Sequence, residues 1–496
     1  MASGALWMVL AKLAERSLGT ISMLVLARVL VPHDFGIVAM AMSFVALLEM
    51  LSSFGFEVAL IRQQTRERAH WDTTWTFGVI VGIGIAIMMC LGAGPVAAFF
   101  REPALVSVLY VLALGSAAQG FQNVGLVAFR TEMRFDREFR FLTAKKLISF
   151  VITIPLAIIL DSYWALVIGQ TAGRFASTAL SYWVHPYRPR FCVSARRDLF
   201  NLSGWILVLN IITFIRERSA AWVIGRLAGS APLGAFTISY EITSMPSSEL
   251  IAPINRAVFP AYAKLAAESI EALRREYLSV LAVIVLITTP AVLGLAATAP
   301  LLVPVVLGPN WVSAIPVLTL LSFFGFTYIV QSNAQAAYLA LGRVDIPAKM
   351  NAVNCAVLIA LLIPMTKMYG VVGAATAYLL AATIIIPVAL GVVLRMMSIP
   401  VSQFIAQIWR PIAAATVMYL GVTLYLRTLS SQASSIENFL HLVTAVGIGA
   451  AIYVSVTAGL WVLCGKPQGA EQFALNKATE LAARVRWRKT ADLPRT

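Results

Sequence analysis

Apolar residues run along this chain in long stretches, separated by short segments that carry most of the polar and charged residues. A helix needs about 20 apolar residues to cross the hydrocarbon core of a bilayer, so each stretch predicts a membrane span. Fourteen stretches are found, at about 5–30, 36–60, 73–100, 104–129, 142–160, 162–184, 201–227, 233–260, 277–307, 312–341, 350–367, 370–394, 410–428 and 439–463. The pattern therefore predicts an all-α integral membrane protein with about fourteen transmembrane helices.

The composition agrees with a membrane protein. Hydrophobic residues make up 59% of the chain and charged residues 12%, whereas a soluble domain carries about 25% charged residues. The mean hydropathy is +0.83. The net charge of +15 is dispersed over many loops rather than gathered on one surface, which argues against nucleic-acid binding. It favours contact with anionic membrane lipids.

Basic residues are concentrated on one side of the predicted spans. Loops that follow even-numbered spans, together with the C-terminal segment, carry most of them, Lys146 included. The opposite loops carry only Arg101, Lys367 and Arg427. By the positive-inside rule the heavily charged side is cytoplasmic. Because the number of spans is even, both termini are predicted to be cytoplasmic.

Short patterns recur between the two halves of the chain. Gly36 follows Arg28 by eight residues, and Gly234 follows Arg226 by eight residues. A second pattern joins Val108, Leu109 and Gln122, and recurs at Val317, Leu318 and Gln331. Parallel repeats around a central cleft are common in transporters. We predict an N-lobe with helices 1 to 6 over 1–200, a C-lobe with helices 7 to 12 over 201–402, helices 13 and 14 over 403–464, and a basic cytoplasmic tail over 465–496.

The sequence lacks the motifs of common enzyme chemistry. It contains no G-x-x-x-x-G-K-[ST] phosphate loop and no H-E-x-x-H. Its four histidines are scattered, and its four cysteines are far apart and outside any metal-type spacing. The predicted outward loops are short. We therefore predict no catalytic residues, no cofactor and no metal site.

Eight basic residues lie inside predicted spans, where a charge is costly unless it faces water, a partner or a ligand. They are Lys12, Arg16, Arg28, Arg174, Arg216, Arg218, Arg226 and Arg256. Spans one, two, seven and eight also contain Glu15, Glu49, Glu57, Glu217, Glu241 and Glu249. Helical spacing places Lys12, Glu15 and Arg16 on one face, and Glu249 on the face of Arg256. These four spans are predicted to line a cavity.

A basic cavity suits an anionic ligand, because the planar fork of arginine makes paired, charge-assisted hydrogen bonds with phosphate. The candidate ligand-binding residues are Arg16, Arg256, Lys12, Arg216, Arg218 and Asn255. The six glutamates either balance these cations or carry the H⁺ or Na⁺ that drives transport.

Structural roles are the alternative for several of these charges. Side chains near span ends can reach the lipid headgroups, which applies to Arg28, Arg226 and Lys12. Glu217 can neutralise Arg216 or Arg218, and Arg174 can pair with a neighbouring helix. Arg16 and Arg256 lie within their spans and share a helix face with an acidic neighbour, which favours a role in the cavity.

Several short runs, taken in order, resemble the Wzx-type oligosaccharide flippases of the multidrug/oligosaccharidyl-lipid/polysaccharide exporter superfamily. They are Leu26 to Gly36, Trp71 to Thr76, Tyr163 to Val167, Pro253 to Pro260, Leu307 to Trp311 and Ala340 to Arg343. The resemblance extends from the first span to about residue 400 and is greatest to the exopolysaccharide-exporter branch. It implies two six-helix lobes plus two helices, and a V-shaped central cavity.

The resemblance also implies a function. These proteins move undecaprenyl-pyrophosphate-linked oligosaccharides from the cytoplasmic to the periplasmic leaflet of the bacterial inner membrane, alongside a polysaccharide polymerase and a chain-length regulator. In the similar peptidoglycan-precursor flippases, cavity arginines on the first and eighth helices hold the pyrophosphate, and Arg16 and Arg256 occupy similar places. Many members carry an aspartate in the seventh helix where this chain has Ala220 and Ala221. Glu217 is the nearest acidic substitute.

Two other functions stay open at this point. A multidrug/cation antiporter of the same superfamily would require an acidic cavity, whereas the embedded charges here are mainly basic. An integral membrane glycan polymerase or ligase would require a sizeable outward loop, and the sequence contains none.

Overall fold

A computed structural model of the chain describes residues 2–52, 67–132, 134–194, 204–343, 345–429, 435–467, 469–472 and 475–476. Of residues 2–15, 204–210, 212, 248–249, 252, 330 and 435 only the backbone is described. Over the described residues the structure divides into two compact units.

Unit 1 contains the residues up to 237 and the short segments 306–311 and 366–371. Its helices are α1 (Ala2–Val29), α2 (Pro32–Leu51), α3 (Arg68–Phe100), α4 (Ala104–Gly120), α5 (Val127–Thr131), α6 (Phe135–Leu160), α7 (Trp164–Val184), α8 (Gly204–Leu227) and the first part of α9 (Ser230–Pro246). Within this unit α3 packs on α4, α6 packs on α1 and α7, and α8 packs on α2.

Unit 2 contains the rest of the described chain from residue 238 onward. Its helices are the second part of α9, α10 (Ala252–Glu268), α11 (Ile270–Leu302), α12 (Ala314–Ala340), α13 (Asp345–Met396), α14 (Val401–Arg427) and α15 (Ser435–Leu463). Two π-helical turns, Ser247–Ile251 and Val303–Leu307, interrupt the regular α-helix. Within this unit α11 packs on α12, α14 and α15.

The predicted spans coincide with helices of the described chain. The 52-residue α13 covers two of the predicted spans. Its backbone leaves helical geometry at Gly370, where φ is 59° and ψ is −140°, and this break divides it into two halves. In the described residues, eight helices are long and apolar enough to cross a membrane, or nine if the pair α4 and α5, bent by 64°, forms one span. The protein is therefore an all-α integral membrane protein, and the number fourteen stays a prediction.

The compact units divide the chain at a different point from the predicted lobes. The predicted boundary between the lobes lies at residue 200, whereas residues 204–237 belong to compact unit 1 because α8 packs on α2 and α3. The last two helices, α14 and α15, pack on each other and on α11. Tyr453 of α15 donates a hydrogen bond to the carbonyl of Leu286 at 2.7 Å. The arrangement as two six-helix lobes around a V-shaped cavity stays a prediction.

Two glycines allow α2 and α9 to cross in direct backbone contact. A Cβ atom on Gly36 would overlap the carbonyl of Ser230, and one on Gly234 would overlap the carbonyl of Pro32. The contact is reciprocal, because each glycine meets the residue four positions before the other glycine. The glycines of the repeat pattern thus lie at one crossing in unit 1.

Buried tyrosines join the helices of unit 2. Tyr262 of α10 donates to Oδ1 of Asn333 at 3.0 Å, and Nδ2 of Asn333 donates to the carbonyl of Tyr277 at 3.2 Å. Tyr338 of α12 donates to the carbonyl of Ala389 at 2.7 Å. Each bond satisfies a polar group that would otherwise be buried without a partner. These bonds tie α10, α11, α12 and the second half of α13 together.

Candidate functional site

A buried carboxylate and a buried indole hold the end of α1. Asp34 accepts hydrogen bonds from the amide nitrogens of Val31 and Tyr163, both at 3.1 Å. Trp311 is fully buried and donates from Nε1 to the carbonyl of Ala27 at 2.7 Å. These contacts fix the direction of α1, which carries three of the eight embedded cations.

Arg16 shares a surface of α1 with a second cation that was expected in an inner loop. Nζ of Lys146, on α6, lies 3.6 Å from the position of a Cβ atom on Gly19. Gly19 is three residues after Arg16, so Arg16 and Gly19 lie on one face of α1. Both cations are half-buried. They form a basic surface, named here the Arg16–Lys146 surface.

From the sequence, Lys146 was counted with the inner loop because the residue lies close to the start of the predicted span 142–160. In the structure α6 begins at Phe135, so Lys146 is about three turns into the helix. A helical start read from Asp136 and Glu138, acidic residues in the first turn of α6, could have revealed this, because such residues favour helix N-termini.

The other charges of the first two spans are only partly described. α1 is helical through Lys12 and Glu15, so their spacing relative to Arg16 is that of one helix face. The side chains of Lys12 and Glu15, and all of Glu57, lie outside the described residues. Their roles stay predictions.

Glu49 of α2 is balanced by Arg174 of α7. Nη2 of Arg174 lies 2.9 Å from Oε1 of Glu49, and its Nη1 donates to Oγ of Ser116 at 2.7 Å. The side chain of Arg174 is 13% exposed and that of Glu49 is 41% exposed. The interpretation that Arg174 pairs with a neighbouring helix is confirmed. For Glu49 the geometry favours charge balance over ion coupling.

Two arginines of α8 have partners of different kinds, an adjacent glutamate for Arg216 and a backbone carbonyl for Arg226. Nη2 of Arg216 lies 3.5 Å from Oε1 of Glu217, and Arg218 is exposed. Nη1 of Arg226 donates to the carbonyl of Phe99 at 2.8 Å, and the guanidinium lies 5.5 Å from the centre of the Phe99 ring. Arg226 therefore joins α8 to the end of α3, which favours its structural interpretation.

The Glu249 to Arg256 region contains a π-helical turn. Such turns are frequent at functional sites and change the register of the side chains that follow. The predicted shared face of Glu249 and Arg256 assumed an unbroken α-helix, and Ser247–Ile251 breaks it. Arg256 is exposed, and Oδ1 of Asn255 is buried without a hydrogen-bond partner among the described residues. The Glu249 side chain is outside those residues, and Glu241 is exposed.

The predicted ligand-binding residues fall into both units. Lys12, Arg16, Arg216 and Arg218 belong to unit 1, whereas Asn255 and Arg256 belong to unit 2. Within unit 1 the structure places Lys146 against Gly19, one helical turn after Arg16 on α1. A shared site for Arg16 and Arg256 stays a prediction.

The run from Trp71 to Thr76 has a structural role. Asp72 is buried and accepts hydrogen bonds from the Tyr187 hydroxyl at 2.7 Å and from the Arg190 amide at 2.9 Å. Burial, and then the hydrogen bond to Asp72, raise the pKa of Tyr187, so its hydroxyl remains a donor. Trp75 donates from Nε1 to the carbonyl of Phe121 at 3.3 Å. The run therefore anchors the segment after α7.

A profile of the family described as "Polysaccharide biosynthesis protein" matches residues 25–316, which is more than half of the 496 residues. This chain belongs to the polysaccharide biosynthesis protein family. The matched range contains α2 to α11 and includes Arg174, Arg216, Arg218 and Arg256.

Two relatives show how far the similarity extends. Lipopolysaccharide biosynthesis protein WzxC of Escherichia coli (strain K12) is 26% identical over 420 residues, covering 82% of this chain and 84% of WzxC. Succinoglycan biosynthesis transport protein ExoT of Rhizobium meliloti (strain 1021) is 27% identical over 322 residues, covering 64% of each chain. The expected resemblance to Wzx-type flippases is confirmed.

Solved structures of transporters share the fold of this family member. Lipid II flippase MurJ in its inward closed conformation gives a TM-score of 0.72 at 13% identity, over 92% of this chain and 99% of MurJ. An inward-facing multidrug resistance MATE transporter of the MOP superfamily gives 0.57 at 16% identity, over 77% of this chain and 94% of that one. At these identities the similarity concerns the fold alone.

Proposed function

We propose that this protein moves undecaprenyl-pyrophosphate-linked oligosaccharide repeat units from the cytoplasmic to the periplasmic leaflet of the bacterial inner membrane. The product supplies exopolysaccharide or lipopolysaccharide biosynthesis. The observation that carries the proposal is the Arg16–Lys146 surface on helices of a polysaccharide biosynthesis family member. WzxC, a relative along most of the chain, is a lipopolysaccharide biosynthesis protein by name.

The chemistry of the substrate explains the need for these cations. A pyrophosphate carries several negative charges and loses much of its hydration when it enters a protein cavity within the membrane. Arg16 supplies paired hydrogen bonds in one plane, and Lys146, which approaches α1 one turn further on at Gly19, supplies a compact charge. The sugars follow the pyrophosphate through the cavity, while the prenyl chain stays in lipid.

Transport occurs by alternating access. Arg256, with Asn255 beside it, is a further candidate contact for the pyrophosphate, and Lys12, Arg216 and Arg218 are candidate contacts for the same anion or for the sugars. Glu49 keeps Arg174 neutralised through the cycle, because their ion pair is already formed at 2.9 Å. The remaining glutamates carry the coupling ion or balance charge.

The activity is transport and not bond formation. Both termini lie in the cytoplasm, where the lipid-linked substrate is assembled. A polysaccharide polymerase and a chain-length regulator consume the product on the opposite side of the membrane.

The test is complementation of a bacterial strain that lacks its own repeat-unit transporter. Arg16→Ala, Lys146→Ala and Arg256→Ala are each expected to reduce surface polymer strongly at equal protein level, because each removes a charge-assisted contact worth about 1.5–3 kcal/mol. Arg427→Ala is the matched control, since Arg427 is an exposed cation at the end of α14. Normal polymer with all three variants would overturn the proposal.

The antiporter alternative is tested in the same strains. It has support at the level of the fold, because a MATE transporter shares the architecture. If expression of the protein changes the susceptibility of the strain to a panel of drugs but leaves its surface polymer unchanged, the antiporter is favoured over the flippase.

A further inference from the structure

An apolar groove lies between the two halves of α13 in unit 2. The first half ends at the Gly370 break and the second half follows it. Residues 346–353 of the first half and 385–396 of the second line the same groove, so the two halves lie side by side. The groove has a volume of about 390 Å³. Its apolar walls are formed by Ile346, Met350 and Val353 from the first half and by Ile385, Val388, Val392 and Met396 from the second.

Charged residues line only one end of this groove. Arg343 binds Asp345 through two hydrogen bonds, Nε to Oδ1 at 2.9 Å and Nη2 to Oδ2 at 3.1 Å. Nζ of Lys349 lies 3.5 Å from the same carboxylate. Two cations therefore share one anion, which leaves the mouth with a net positive charge. Lys349 remains 77% exposed and can bind a further anion.

The backbone fixes the position of these cations. Gly342 ends α12 with a φ of 71°, a conformation that favours glycine. The amide of Arg343 then donates to the carbonyl of Tyr338 at 2.9 Å. A further cation lies at the same end, because Nη1 of Arg274 donates to the carbonyl of Ser398, two residues beyond Met396. The basic mouth is thus built from α11, α13 and the turn after α12.

We propose that this groove binds an anionic glycerophospholipid, with its phosphate at Lys349 and Arg343 and one acyl chain along the apolar walls. A soluble anion would leave the walls without a partner, and a neutral lipid would leave the net charge without one. Two wall residues, Val353 and Val388, are more than half exposed, so a chain can enter sideways from the bilayer. The inference goes beyond the proposed function, since it concerns a lipid that is bound rather than transported.

The charge is tested by native mass spectrometry of the full-length protein in a neutral detergent, titrated with phosphatidylglycerol or phosphatidylcholine. We expect selective binding of phosphatidylglycerol, weakened about fivefold by Lys349→Ala, since one basic residue near a membrane surface contributes about that much. Lys264→Ala is the matched control: Lys264 is 78% exposed and lies 3.8 Å from Glu268 in the same i,i+4 arrangement. Equal losses in both variants, or no preference for phosphatidylglycerol, would overturn the proposal.

The apolar walls are tested separately. Val388→Trp fills the groove and is expected to abolish the selective phosphatidylglycerol adduct, whereas Val417→Trp, at an exposed position of α14 outside the groove, leaves it intact. Undecaprenyl phosphate is the competitor. If undecaprenyl phosphate displaces phosphatidylglycerol at an equal concentration, and Val388→Trp prevents the binding of undecaprenyl phosphate, the groove holds the prenyl carrier lipid and the proposal is wrong. Retention of surface polymer by Val388→Trp would separate this site from the transport site.

Discussion

At the residue scale, the described embedded cations differ in their partners. Arg174 and Arg226 bind groups of neighbouring helices, namely the Glu49 carboxylate and the Phe99 carbonyl. Arg256 is exposed on α10. Arg16 lies one helical turn before Gly19, where the side chain of Lys146 approaches α1. A charge within a span is energetically unfavourable unless it has a partner, and only its surroundings show whether that partner is a neighbouring helix or a ligand.

The Arg16–Lys146 surface depends on the small size of Gly19. A Cβ atom there lies at ordinary contact distance from Nζ and Cε of Lys146, 3.6 and 3.7 Å, so Gly19→Ala is expected to keep polymer export. Gly19→Leu displaces the ammonium without removing its charge, and we expect about a tenfold loss of export, as for one lost charge-assisted contact. The measurement is surface polymer per amount of protein. Full export by Gly19→Leu would show that the position of Lys146 does not matter.

Gly84→Leu is the control for that substitution. Gly84 lies within α3, and a Cβ atom added there would have no atom of the described residues within 4 Å, so a larger side chain meets open space. It is expected to leave export unchanged.

The ion pair of Arg174 and Glu49 should respond unequally to loss of either partner. Glu49→Gln leaves a 13% exposed guanidinium without its carboxylate, whereas Arg174→Gln leaves a carboxylate that is 41% exposed and can be hydrated. We expect Glu49→Gln to lower the free energy of unfolding by about 1–3 kcal/mol and Arg174→Gln to lower it by less. The double variant should lose less than the sum of the two single losses. Apparent melting temperatures in detergent measure this. Additive losses would mean that the two groups do not interact.

At the element scale, the crossing of α2 and α9 rests on Gly36 and Gly234. Gly36→Ala and Gly234→Ala each place a methyl group against a backbone carbonyl. We expect each to lower the free energy of unfolding by about 1–3 kcal/mol. Because both methyl groups separate the same two helices, the double variant should cost less than the sum. Gly94→Ala is the control, since that position in α3 has open space around it in the described structure. Melting temperatures equal to that of the control would contradict the crossing.

The helices themselves were predictable, and their irregularities were not. Runs of about twenty apolar residues give a helix wherever no water can satisfy the backbone, so hydropathy alone finds them. The π turn at Ser247–Ile251 and the break at Gly370 leave hydropathy unchanged and were therefore missed. The start of α6 at Phe135 was missed for the opposite reason, because its first turns are polar. Lys146, near the start of the predicted span, was therefore counted with the inner loop rather than with the candidate site.

At the scale of the whole molecule, the division into units follows contacts that are remote in sequence. A composition or repeat pattern places a boundary near residue 200, but the Gly36 and Gly234 crossing holds the start of α9 in unit 1. The repeat pattern contains both glycines but does not show that they lie at one crossing. Contact between two repeats requires a three-dimensional arrangement that neither repeat contains by itself.

The orientation of the molecule in the membrane is the property on which both proposals depend. Basic residues flank the predicted inner ends of the helices, and the positive-inside rule therefore predicts that Arg343, Lys349 and the C-terminus lie in the cytoplasm. Alkaline phosphatase, which is active only outside the cytoplasm, is expected to be active when fused after Glu102 or Asp161, in the turns that follow α3 and α6. It is expected to be inactive when fused after Arg190 or Thr496. The reverse pattern would place the Arg16–Lys146 surface and the phospholipid groove near the wrong leaflet, and would contradict substrate entry from the cytoplasm.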